Sequence, residues 1–110
     1  MRFYTLTLAA LALACGTSAF VVDAYTGVEC TGDVQSVNIW DNTCGNWMKT
    51  YRSFRLQHYG GKGQKAHFCR LNLCNECKRW RIDGRGDSLK IGDCVTSWED
   101  KLGSMGSFLF

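Results

Sequence analysis

At 110 residues, 45% of them hydrophobic, with a formal net charge of +3, the chain has room for one domain with a modest core. It has no solenoid repeat, low-complexity stretch or linker, and so mild a net charge points away from a nucleic-acid partner. Seven cysteines and no proline indicate a domain held by disulfides whose turns come from Gly, Asn and Asp.

Met1-Arg2 is a short positive start, Phe3–Cys15 is almost wholly apolar, and small residues stand at Thr17 and Ala19, the positions a signal peptidase inspects. Residues 1–19 read as a secretory signal peptide, leaving 20–110 as a single disulfide-rich β domain. The apolar run is shorter than the roughly 20 residues of a membrane span. No second run follows, and the Ser107–Phe110 end is too short for a lipid-anchor signal. The protein is therefore expected to be secreted, extracellular and not membrane-spanning.

Once Cys15 leaves with the signal peptide, Cys30, Cys44, Cys69, Cys74, Cys77 and Cys94 remain. An even set in a short exported chain reads as a disulfide framework. Sequence alone leaves the pairing open; the working assignment is Cys30–Cys44, Cys69–Cys77 and Cys74–Cys94. The rival is zinc, from the spacing of Cys69, Cys74 and Cys77 with His67 nearby. An oxidising export route consumes the thiolates zinc requires, so neither metal nor cofactor is expected.

Short alternating segments between turns predict an all-β sandwich or barrel. In chain order the predicted strands are Phe20–Tyr25, Val34–Trp40, Ser53–Tyr59, Gln64–Leu71, Arg79–Asp83 and Ser88–Ile91, with a candidate last strand at Ser107–Phe110. One short helix is expected near Ser97–Leu102, where Val95, Trp98 and Leu102 share a face and Gly103 can end it.

Side-chain parity orients these strands. Phe54, Leu56, Ala66 and Phe68 are all even-numbered, so a hairpin that pairs them needs an odd loop, which Gly60–Lys62 or Gly60–Gln64 supplies. Arg55, Gln57, Lys65 and His67 then share the opposite, basic face. His58 points the other way, beside Leu56, so the two histidines do not meet. In KRWRID, Trp80 and Ile82 turn inward and Arg79 and Arg81 outward; Trp40, Trp47 and Trp98 are read as core or rim.

Around GRGDS, an even loop brings Trp80 and Ile82 onto one face with Leu89 and Ile91 by pairing Ile82 with Leu89 and Trp80 with Ile91. Arg85, Gly86 and Asp87 then occupy an exposed turn. Arg-Gly-Asp is the tripeptide integrins read, but this composition is what the turn needs in any case.

Charge is uneven along the chain. Residues 20–48 carry Asp23, Glu29, Asp33 and Asp41 and no base; residues 49–90 carry eleven Lys or Arg against Glu76, Asp83 and Asp87; the remainder is mildly acidic. The segments either neutralise one another by packing, the reading preferred here, or present a basic surface to an anionic partner. Catalysis is not expected. The histidines lie on opposite faces, Glu76 and Glu99 have no evident partner, and GxSxG, HExxH and phosphate-loop contexts are missing. A small ribonuclease-like hydrolase is the enzymatic alternative.

AYTGVECTGDVQSVNIWDNTC, YRSFRLQHYGGKGQKAHF and DGRGDSLKIGDC together resemble small secreted cysteine-rich proteins of filamentous ascomycete fungi, over about residues 22–94. That resemblance implies secretion, disulfides and an effector or antimicrobial role. Tyr25, Gly32 and Ser53 are spaced as in the βγ-crystallin Greek-key motif, a fold that microbial killer toxins also use. There the aromatic packs over a folded hairpin, the glycine takes positive φ and the serine holds the hairpin by hydrogen bonds. Cys30 stands where the motif has an aromatic residue, and Met48 and Lys49 replace its Asn/Asp pair, which disfavours a calcium site.

The expectation is a disulfide-stapled Greek-key β-sandwich, monomeric and non-enzymatic. Its Arg55, Lys65, His67, Arg79 and Arg81 surface would meet an anionic cell-surface component (lipid or wall polysaccharide) or a host protein. The alternative is an extracellular structural or stress protein without a toxic target.

Overall fold

The computed structural model describes residues 19–86 and 88–110; the expected signal peptide, apart from Ala19, and Asp87 lie outside the described residues. Among the described residues, eight strands form two antiparallel four-stranded sheets. They are β1 (Ala19–Tyr25), β2 (Val34–Trp40), β3 (Thr43–Gly45), β4 (Ser53–His58), β5 (Lys65–Leu71), β6 (Asn75–Arg81), β7 (Cys94–Thr96) and β8 (Ser104–Phe108). The first sheet runs β2-β1-β4-β7 and the second β3-β8-β5-β6.

The alternation of apolar residues places β1, β2, β4 and β5 within one residue of where the sequence predicts them. Their inward residues, Phe20, Val22, Ala24, Val37, Ile39, Phe54, Leu56, Ala66 and Phe68, make most of the core. Phe54 and Phe68 stack face to face, centroids 3.6 Å apart. The half-buried Trp80 meets both edge-on at 5.9 and 5.8 Å. Inward parity therefore holds, but the expected β4–β5 hairpin does not form: the two strands lie in different sheets, and residues 59–64 cross between them. A hairpin and a crossing both bury the same four apolar residues, so parity cannot choose between them.

Other departures have local causes. β3 and β7, three residues each, are too short to show a period. Of the expected Arg79–Asp83 strand, residues 79–81 are the end of a longer β6 and Ile82 and Asp83 lie beyond it, and the last strand lies earlier than Ser107–Phe110. No helix forms at residues 97–102, because other partners take its backbone. The Ser97 N–H donates to the Arg52 carbonyl (2.7 Å), the Arg52 guanidinium donates to the Ser97 and Trp98 carbonyls, and Leu102 pairs with Tyr51. Residues 88–91 form no strand either. Leu89 is buried with Ile82 as expected, and its N–H donates to the Arg81 carbonyl (2.7 Å), but Ile91 turns out to solvent.

The two halves repeat one another, which the sequence does not advertise. Each half makes a hairpin (β1–β2, β5–β6), hands its third strand to the other sheet (β3, β7), and returns its fourth beside its first (β4, β8). In the first half Ser53 Oγ donates to the Gly27 carbonyl (2.6 Å) and accepts from the Cys30 N–H (2.8 Å). In the second, Ser104 Oγ donates to the Leu71 carbonyl (2.6 Å) and accepts from the Cys74 N–H (3.0 Å). Gly32, at φ +88°, folds the first hairpin; a β-carbon there would stand 2.5 Å from Thr26 Oγ1. The halves meet where Tyr51 and Leu102 exchange backbone hydrogen bonds of 3.0 and 2.8 Å. The buried Tyr51 hydroxyl donates to the Ser104 carbonyl (2.8 Å), tying the first half to the serine of the second.

The disulfides follow the same plan. Cys69–Cys77 joins neighbouring β5 and β6, as expected, but Cys30–Cys44 and Cys74–Cys94 are replaced by Cys30–Cys94 and Cys44–Cys74. Each tethers one half's folded hairpin to the third strand of the other half. With all six cysteines bonded, the thiolates of the zinc alternative are consumed.

Ser53→Ala and Ser104→Ala should each lower stability by about 1–3 kcal/mol, since each strands a hairpin N–H. Urea unfolding of the oxidised protein measures this, and a near-zero change for either would refute its role. Non-reducing proteolysis and mass spectrometry should recover Cys30–Cys94 and Cys44–Cys74 peptides and none linking Cys30 to Cys44.

Candidate anionic-surface binding face

The outer face of the second sheet is built from cross-strand rows, because directly paired residues share a side. Arg81, Lys65 and Phe108 make one row across β6, β5 and β8; Arg79, His67 and Gly106 make the next; Cys77, Cys69 and Ser104 the third. Lys65, Arg79 and Arg81 thus converge. Arg81 reaches Asp83 (3.3 Å), whereas Lys65 and Arg79 make no ion pair among the described residues.

Beside these cations lies an apolar strip. Phe108 and Phe110 stack at 5.4 Å, and the His67 ring meets both edge-on at 5.0 and 5.7 Å. Gly106 makes this possible: a β-carbon there would lie 2.6 Å from the Phe108 ring. Leu109 and Phe110 are exposed, the latter at 69%. The strip was missed as a site in the sequence, where only the alternation of Phe108 and Phe110 hints at it.

His67 is a correction. Expected on the exposed basic surface, it is 5% exposed, covered by the two phenylalanines. Its Nε2 lies 2.8 Å from the Phe110 carbonyl; a carbonyl only accepts, so Nε2 carries the proton. Burial pushes the imidazole below its usual pKa, the Phe110 bond works against this, and the Arg79 and Lys65 charges push the same way as burial. His67 is thus a packed, neutral residue. Arg55 is a second correction: it lies on β4 in the first sheet, donates to the Gly92 carbonyl (2.6 Å) and sits opposite Asp23. His58, expected beside Leu56, is exposed at the end of β4, where β1 bulges.

The acidic and basic segments do not neutralise one another through ion pairs. The two pairs among the described residues, Arg70–Glu76 and Arg81–Asp83, both fall within the basic segment. Asp23 sits on the first sheet, and the Asp41 carboxylate accepts from the Gly61 N–H at the crossing (3.3 Å). Trp40, Trp47 and Trp98 are all substantially exposed rather than core.

At the Arg-Gly-Asp stretch, Arg85 and Gly86 are exposed, and Gly84 and Gly86 take positive φ. Asp83 organises this turn: its carboxylate accepts from the Gly63 and Arg85 N–H groups (both 3.1 Å) and from Arg81. Desolvation opposes the charged form, but these donors prevail and hold the carboxyl below its usual pKa. Gly32 takes positive φ and Ser53 hydrogen-bonds the first hairpin, while Tyr25 is half-buried and its carbonyl accepts from the Arg52 N–H (2.8 Å).

Because His67 binds its proton less tightly when folded, stability should fall as pH drops below about 6.5. Comparing urea midpoints at pH 7.5 and 5 should show a smaller pH dependence in His67→Phe than in the parent. An unchanged difference would remove His67 as its source.

Comparison with family models, with curated proteins and with solved structures gave no match to this chain.

Proposed function

We propose that this is a secreted, non-enzymatic protein that docks on anionic target-cell surfaces, in an effector-like or antimicrobial capacity. The observation that carries the reading is the placement of Lys65, Arg79 and Arg81 on one sheet face beside Phe108 and the exposed Phe110. Cations next to exposed apolar side chains suit an anionic lipid interface: the charges meet headgroups while the apolar side chains enter the acyl boundary. Export is supported by the expected leader and three disulfides. No described helix is long and apolar enough to cross a membrane. The non-enzymatic reading rests on the placement of His58 and His67 in different sheets and on the bonded cysteines.

Kinship with the ascomycete secreted proteins and a crystallin-like Greek key belong to the same proposal. They draw support from the return of β4 beside β1 and β8 beside β5, and from the serine-held hairpins.

Sedimentation with vesicles tests the reading. Vesicles rich in phosphatidylserine should capture the protein, phosphatidylcholine vesicles should not, and raising salt should release it. With each cation worth about 1 kcal/mol near such a surface, Arg79→Glu/Arg81→Glu should weaken binding by more than about tenfold. Arg55→Glu, on the other sheet, should change it little. No capture, or equal loss from both variants, would favour a structural or stress protein over this reading.

A further inference from the structure

A second site lies away from the basic face, at the open edge of the sandwich between β6 and β7. These are end strands of their sheets, and between them is a cavity of about 160 Å³ with an apolar floor of Phe54, Phe68, Trp80, Val95 and Leu102. Apolar cavities of about 150 Å³ accept a benzene-sized guest.

The internal repeat shows what belongs there. The related place in the first half lies between β2 and β3, where the Trp47 ring lies against Gly45. Met48, four residues beyond Cys44, is buried, and Gln35 clamps the next residue by accepting from the Lys49 N–H (3.0 Å) and donating to its carbonyl (2.9 Å). In the second half, the residue four beyond Cys94 is Trp98, which is 64% exposed. The counterpart of Gln35 by strand register is Lys78, since Gln35 pairs with Ala24 and Lys78 with Phe68. Thus the loop after β3 buries an apolar side chain, Met48, and the loop after β7 buries none before Leu102.

The rim selects the charge of a guest. Arg70 pairs with Glu76. That leaves Lys78 against Glu99 and Asp100, which make no ion pair among the described residues, so the mouth is net negative. We propose that this cleft binds a small cationic amphiphile, a molecule with one apolar ring and an ammonium group. The ring would sit against the half-buried Trp80 and Val95, over the core rings of Phe54 and Phe68, and the ammonium at Glu99 and Asp100. The Trp80 face adds cation–π attraction. The site does not rest on the membrane reading, and vesicle results leave it untouched.

The test is an amide-resolved NMR titration of the oxidised protein with phenethylamine, and with phenylacetate as the anionic counterpart. Phenethylamine should saturably shift the amides of Lys78–Trp80 and Val95–Ser97 below about 10 mM, the range for a fragment of this size. Phenylacetate should bind at least about tenfold more weakly, and Glu99→Lys/Asp100→Lys should reduce phenethylamine affinity by a similar factor. Val95→Phe, which fills the cavity, should abolish the shifts; should it fail to fold, the charge variant still decides. The proposal is overturned by the lack of a saturable response, by equal binding of phenylacetate, or by nuclear Overhauser contacts placing the Trp98 indole inside the cavity.

Discussion

Each half of this protein gives a strand to the other, and a disulfide holds it there. Cys30–Cys94 and Cys44–Cys74 close chain separations of 64 and 30 residues, and a loop of that length restricts the unfolded chain by roughly 4 kcal/mol in the chain-entropy account. The hairpins these cysteines anchor are strained, with non-glycine positive φ at Glu29 and Cys30 in one and at Leu73, Cys74 and Glu76 in the other. Such angles persist only where the surroundings over-determine them. Here a serine hydroxyl and a disulfide do so at each site. Since β7 completes the first sheet and β3 the second, neither half has a finished sheet of its own.

This exchange also distributes charge. The acid-rich β1–β2 hairpin belongs to the first sheet and the basic β5–β6 hairpin to the second, so packing the sandwich turns their outer faces apart instead of pairing them. Lys65 and Arg81 stand directly opposite each other, an arrangement of like charges that works against stability. Their neighbour His67 is kept uncharged under Phe108 and Phe110. The face combines two cations without an ion pair among the described residues, Lys65 and Arg79, with an apolar strip, a pairing better suited to an external partner than to the isolated fold.

Internal symmetry makes the exceptions to it informative. The serines, the hairpin cysteines and the crossing-strand cysteines correspond one to one. The loops after β3 and β7 differ: one buries Met48, and the other exposes Trp98 and is drawn toward Arg52 by hydrogen bonds to the Ser97 and Trp98 carbonyls. Trp80 and Val95 beneath the second loop are therefore left half-exposed.

Sequence by itself determined the all-β class, the four longer core strands and the inward parity of Phe54, Leu56, Ala66, Phe68, Trp80 and Ile82. Those properties depend on alternation along a strand, which is local. It also placed Arg79 and Arg81 outward and Arg85 and Gly86 in an exposed turn. Only the tertiary structure decided which strands share a sheet. It separated Arg55 from Lys65, buried His67, paired Cys30 with Cys94 and Cys44 with Cys74, and aligned the two serine-held hairpins. Each of these depends on residues far apart in the chain meeting across two sheets. A crossing and a hairpin leave the same local pattern of apolar residues, so the pattern could not reveal them.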